Sequence, residues 1–145
     1  MTPNLEERLF KQEYALELLK IAEGDLESAR GLNESKRGRP ENICFLAQQC
    51  IEKALKAVLC WNQIPFPLVH DAGILVAKMP NGVVPPAGYH LAILTKFATV
   101  KRYEEGSLAL TAQEIAAVLQ IATDVFDWAK KIIGTPGGFP AESDV

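Results

Sequence analysis

Residues 47–59 read AQQCIEKALKAVL. At about 100° per residue on a helix, Gln49 and Lys53 sit one turn apart along the border of a wide apolar face. An amide and an ammonium at that border fit either a solvated rim or a binding site. Further along, His70-Asp71 joins an imidazole to a carboxylate. Such a pair can tune the imidazole for proton transfer, whereas the simpler reading makes Asp71 a helix N-cap beside an exposed histidine. Lys101, Arg102 and Tyr103 bring cations for a phosphate and a ring on which a base can stack, or else form an exposed basic turn. His90 precedes the apolar Leu91 and reads as a hydrogen-bonded structural histidine.

Other reaction classes find little support. The chain has no G-x-x-x-x-G-K-[ST], no G-x-G-x-x-G and no G-x-S-x-G. Cys60 and His70 lack metal-ligand spacing and partners, so neither a metal nor a cofactor is expected. Cys44, Cys50 and Cys60 fall in one helix with no C-x-x-C pair, and read as buried reduced thiols. A formal charge of −3 over 145 residues rules out a general polyanion binder and leaves room only for a local basic patch. No apolar run reaches the ~18–20 residues of a membrane span. The N-terminus MTPNLEERLFKQEY lacks the apolar centre of a signal peptide, so a cytoplasmic location is expected.

The elements that must position these residues follow from periodicity. Leu5, Leu9, Leu16, Leu19, Ala22, Leu26 and Ala29 predict an amphipathic helix from about Asn4 to Arg30. Gly31 to Asn42 has no apolar period and reads as a flexible basic loop carrying Lys36, Arg37 and Arg39. A second helix, from about Pro40 to Trp61, shows the widest apolar arc and is expected innermost. Ile43, Leu46, Ala47, Cys50, Ile51, Ala54, Ala57, Val58 and Trp61 form its apolar face, and Gln48, Glu52 and Lys56 lie opposite. After the linker NQIPFPLV, Asp71 caps a short helix with Ile74, Leu75 and Met79 facing inward. PNGVVPP then breaks the chain, and a fourth helix is expected over about Ala87 to Ala98, with Leu91, Leu94 and Phe97 on one side. The long loop Thr99 to Leu110 leads to a final helix that opens on the capping box T-A-Q-E, Thr111 to Glu114. Its face is Ile115, Val118, Leu119, Ala122, Val125, Phe126, Ala129 and Ile133, and Gly134 and Pro136 end it. The expectation is one all-α domain over residues 1–134, with a flexible tail at 135–145.

Several pieces recur in an order that resembles the HEPN domain family. They are A-x-x-DLESA (Ala22, Asp25, Leu26, Ala29), then ICFLAQQCIEKALKAVL, P-x-x-HD, L-x-x-FATVKRY, and a capped last helix with a Trp-Ala pair. The resemblance covers about residues 8–133. It implies an antiparallel up-and-down bundle of about five helices, related to the helical domain of some nucleotidyltransferases. It further implies nucleotide binding, a homodimer, and a minimal nucleotidyltransferase as partner in a toxin–antitoxin-like pair. Some family members are metal-independent ribonucleases with an R-x(4–6)-H motif. Here Arg102 is followed by YEEGSLALT, and Arg30 and Arg39 also lack a His at that spacing, so the motif is absent from its usual neighbourhood.

Gln49 and Lys53 match polar positions of the family's signature helix. They admit two readings. Lys53 forms a partly buried ion pair with Asp25, or Lys53, Lys56 and Arg102 hold a nucleotide or RNA phosphate near His70, with Gln49, Asp71 and Tyr103 contributing. Three functional expectations follow. The first is a binding module for a nucleotide, RNA phosphate or nucleotidyltransferase partner. The second is a ribonuclease toxin using His70 and Arg102. The third is a structural assembly subunit, in which Phe10, Phe45 and Leu59 mark a second contact surface.

Overall fold

The structure is a computed structural model and describes residues 5–68, 70–88, 90–93 and 110–133, with side chains from Lys11 onward. It is an all-α bundle. Helix α1 spans Leu5–Ser35, α2 Pro40–Trp61 and α3 Ala72–Ala77. Residues 90–93 are helical, labelled α4, and α5 spans Ala112–Ile133. Expectations on Leu5, Leu9, Phe10, Leu94, Phe97, Lys101, Arg102, Tyr103, Gly134, Pro136 and the 135–145 tail fall outside the described residues or side chains.

Helix α1 runs past the expected Arg30 and ends at Ser35. Leu32 explains the extension: it packs half-buried against the core, so the helix gains by continuing one more turn. The buried stripe of α1 is Ala15, Leu18, Leu19, Ala22, Leu26 and Ala29. Leu16, expected in that stripe, lies about 60° beyond its edge and is 44% exposed. The basic segment, read as a flexible loop, narrows to a four-residue turn, 36–39. The Lys36 N–H donates to the Leu32 carbonyl at 3.1 Å with Lys36 in the left-handed region at φ 57°. Gly38 packs so closely on Leu32 that an added Cβ would lie 2.9 Å from its side chain, which is why the turn takes glycine there. Pro40 then occupies the first turn of α2, where its missing N–H costs nothing.

Helix α2 lies innermost, packed against α1, α3 and α5. Its apolar face is buried as expected, apart from the half-buried Leu46. The reverse side departs from expectation. Cys44, Gln48, Glu52, Leu55 and Leu59 are also buried, the last three at 1%, 0% and 0% exposure. The segment after α2 and the short α3, which buries Ala72 and Leu75, cover this second face. Leu59, read as marking a surface for another molecule, is used within the chain.

Asp71 caps α3 as the sequence predicts: its Oδ1 accepts from the Gly73 N–H at 2.9 Å. Ile74, expected inward, is 40% exposed, because a six-residue helix turns only Ala72 and Leu75 to the core. At the start of α5 the Thr111 N–H donates to Glu114 Oε1 at 2.9 Å and the Glu114 N–H to Thr111 Oγ1 at 3.0 Å, a reciprocal capping box. All eight apolar residues expected on the α5 face are buried. Cys50 Sγ lies 4.0 Å from the Ala122 carbonyl, Lys53 meets Asp25, and Cys60 donates to the Lys11 carbonyl. These pairings run α1 antiparallel to α2. With Glu114 near Cys44 as well, they set α2 and α5 in the same sense.

Candidate functional site

The polar border of α2 is built from residues one turn apart. Gln49, Glu52, Lys53 and Lys56 fall within an arc of about 100° on the helix. Each is held differently. Lys53 Nζ donates to Asp25 Oδ2 at 2.7 Å and to Gln49 Oε1 at 3.2 Å. The side chains of Lys53 and Asp25 are 26% and 20% exposed, so this is a partly screened ion pair joining α1 to α2. The amide and the ammonium that stood out in the sequence thus serve one bridge between helices. Lys56 lies one turn beyond Glu52, with its Nζ 6.0 Å from the centre of the Phe66 ring.

Beside this bridge stands a second arrangement that the sequence pattern did not suggest. Glu52 is buried to 1%, and its carboxylate accepts twice: from Gln48 Nε2 at Oε1, 3.1 Å, and from His70 Nδ1 at Oε2, 3.0 Å. The His70 side chain is 77% exposed. A carboxylate only accepts, so the bonded Nδ1 carries the proton and Nε2 of the neutral ring is the acceptor turned to solvent. A buried acid therefore orients an accessible imidazole, with an amide holding the acid in turn. The available signal was Cys44, Leu55 and Leu59 sharing the arc of Gln48 and Glu52. A polar pair flanked by large apolar residues belongs on a covered face.

The structure brings together Gln49, Lys53, Lys56 and, through Glu52, His70. Asp71 adjoins His70, with its carboxylate engaged in capping. His90, in α4, is exposed. Arg102 and Tyr103 lie outside the described residues. All three cysteines are buried and free. Burial, with Glu41 and Glu114 nearby, pushes the Cys44 thiol up to about 11. Burial beside Asp25 pushes Cys50 up to about 12, and burial also raises Cys60. Thiols held protonated in this way are poor nucleophiles and poor metal ligands. Among the described residues no three His, Cys, Asp or Glu side chains gather as a metal site, and no helix is long and apolar enough to cross a membrane.

Fold and site together define an up-and-down helical bundle whose central helix carries a polar strip with an acid-oriented histidine. The chain belongs to the HEPN domain family, whose family model matches residues 15–132. It is similar to ST0689, an archaeal HEPN homologue of known crystal structure. The two are 29% identical, the TM-score is 0.61, and the match covers 82% of this chain and 97% of the other. No curated protein matches.

Proposed function

We propose that this HEPN domain binds the phosphate of a nucleotide or of RNA at the polar strip of α2. Lys56 and Lys53 supply the charge for the phosphate, and His70, with Nδ1 spent on Glu52, meets a neighbouring ribose hydroxyl through Nε2. The observation that carries the reading is the Glu52–His70 pair: a 1%-exposed carboxylate positions a 77%-exposed imidazole on the helix that carries both lysines. Folding alone would be served as well by an apolar residue at position 52, since burying a carboxylate costs several kcal/mol that partners only offset. Lys53 keeps one of its three N–H donors beyond Asp25 and Gln49. Isothermal titration with a nucleotide panel tests the reading. Saturable heat that Lys56→Gln and His70→Ala each weaken supports it, and absence of heat across the panel rejects it.

The family supports a wider setting, in which the domain forms a homodimer and pairs with a minimal nucleotidyltransferase. Co-purification with a nucleotidyltransferase encoded beside it, and sedimentation at several concentrations, test these two partners. One observation also favours a catalytic version of the same site. With Nδ1 held by Glu52, His70 presents Nε2 as a base for a ribose hydroxyl, the step a ribonuclease toxin requires. Arg102 is the cation proposed to complete that site. Growth arrest on expression, relieved by His70→Ala, is the expected result. Unchanged arrest in the variant removes His70 from any such reaction.

A further inference from the structure

A second groove, sharing no lining residue with the α2 strip, lies between the end of α1 and the first half of α5. It is an open groove of about 340 Å³, lined by Arg30, Asn33 and Glu34 on one side and Leu119, Gln120 and Thr123 on the other. Arg30 Nη2 donates to Thr123 Oγ1 at 2.5 Å, and that hydroxyl spends its own proton on the Leu119 carbonyl at 2.8 Å. The guanidinium is thus oriented by a neutral hydroxyl and makes no ion pair among the described residues. Four of its five N–H donors are not used on Thr123. Two residues beyond Glu34 begins the 36–39 turn, in which Lys36 and Arg37 are exposed and likewise make no ion pair among the described residues.

We propose that this groove is a second anion site, taking a phosphate group on Arg30, with Lys36 and Arg37, two and three residues beyond the lining Glu34, as the cations nearest in the chain. A planar carboxylate would be satisfied by the guanidinium fork alone. A phosphate dianion has oxygens for that fork and for a second cation, which the adjoining turn offers. The tight packing of Gly38 on Leu32 and the Lys36 to Leu32 hydrogen bond hold the turn in place, so little order has to be gained on binding. Glu34 opposes the anion from the groove wall and sets the site's affinity below what Arg30 alone would give. The phosphate is that of a small phosphorylated molecule or of a nucleic-acid backbone.

The test is an NMR titration of the full chain with inorganic phosphate and, separately, with a short oligouridylate. Saturable shifts are expected at the amides of Asn33, Gln120 and Thr123. Arg30→Gln weakens them roughly tenfold, as loss of one charge-assisted contact does. Glu34→Gln tightens binding, and Lys56→Gln leaves this site unchanged, so failure here is distinguishable from failure of the α2 site. Tighter oligonucleotide binding that falls steeply with salt identifies a nucleic-acid backbone. Equal affinity for free phosphate identifies a small ligand. Arg30 is exposed, so its variant should fold, and thermal unfolding checks that it does. Absence of shifts with both probes, or binding insensitive to Arg30→Gln and Glu34→Gln in a folded protein, overturns the proposal.

Discussion

At position 53 the sequence offered two uses for one ammonium, and the structure gives it an ion pair with Asp25 at 2.7 Å. The pair is about a quarter exposed, so water screens it. A double-mutant cycle of Asp25→Ala and Lys53→Ala is expected to give a coupling of about 0.5–1 kcal/mol in urea unfolding. Glu52 is the more consequential residue. His70→Ala leaves its buried carboxylate with only the Gln48 amide, and should cost about 1–3 kcal/mol. Adding Glu52→Gln should recover part of that loss, because a neutral amide is cheaper to bury than an unpaired charge. Strictly additive losses in urea melts would show that the two side chains do not act as a unit. Gln49 and Lys53 at the border of the apolar face, and His70 beside Asp71, were legible in sequence, whereas Lys56 read as part of the ordinary polar side. The Glu52–His70 contact was not, since it joins residues 18 apart across a proline-containing linker that periodicity does not describe.

The same lesson holds for whole elements. Helix α5 could be read residue by residue, because one face is buried, the other is wet, and a capping box marks its start. Thr111→Ala should cost about 1 kcal/mol. Helix α2 could be read only in part. A helix buried on two faces has no single amphipathic stripe, so Gln48 and Glu52 looked like its solvent side until α3 covered them. Leu55 and Leu59 were the residues that betrayed the second face. Leu55→Ala is expected to destabilise by about 2–5 kcal/mol, against a small effect for the exposed Leu16→Ala, measured by urea unfolding. The thiols of α2 add a pH dependence. Unfolded cysteines ionise near 9.0, but Cys44 and Cys50 hold their protons to about 11 and 12 in the fold. Above pH 9 the unfolded chain therefore binds fewer protons than the native one, and stability falls by about 1.4 kcal/mol per pH unit per thiol. Urea midpoints measured from pH 8 to 10.5 should decline, and Cys50→Ala should flatten the decline.

For the molecule as a whole, a charge of −3 confines anion binding to local patches, and two are proposed. One is the α2 strip of Lys53 and Lys56 with His70 from the linker before α3, and the other is the α1–α5 groove with Arg30. The bundle and its family were legible in the order of sequence motifs, because helix faces and caps repeat with the period of the helix. Ligand and assembly were not, because they depend on which side chains converge from separate helices. The proposed phosphate site is the polar strip of α2 together with His70 from the linker that follows the helix. Calorimetric titration of a ribonucleotide panel into the wild type, Lys56→Gln and His70→Ala tests it most directly. Saturable binding that each substitution weakens about tenfold is the predicted result. No binding by the wild type, or binding unchanged in both variants, would contradict it.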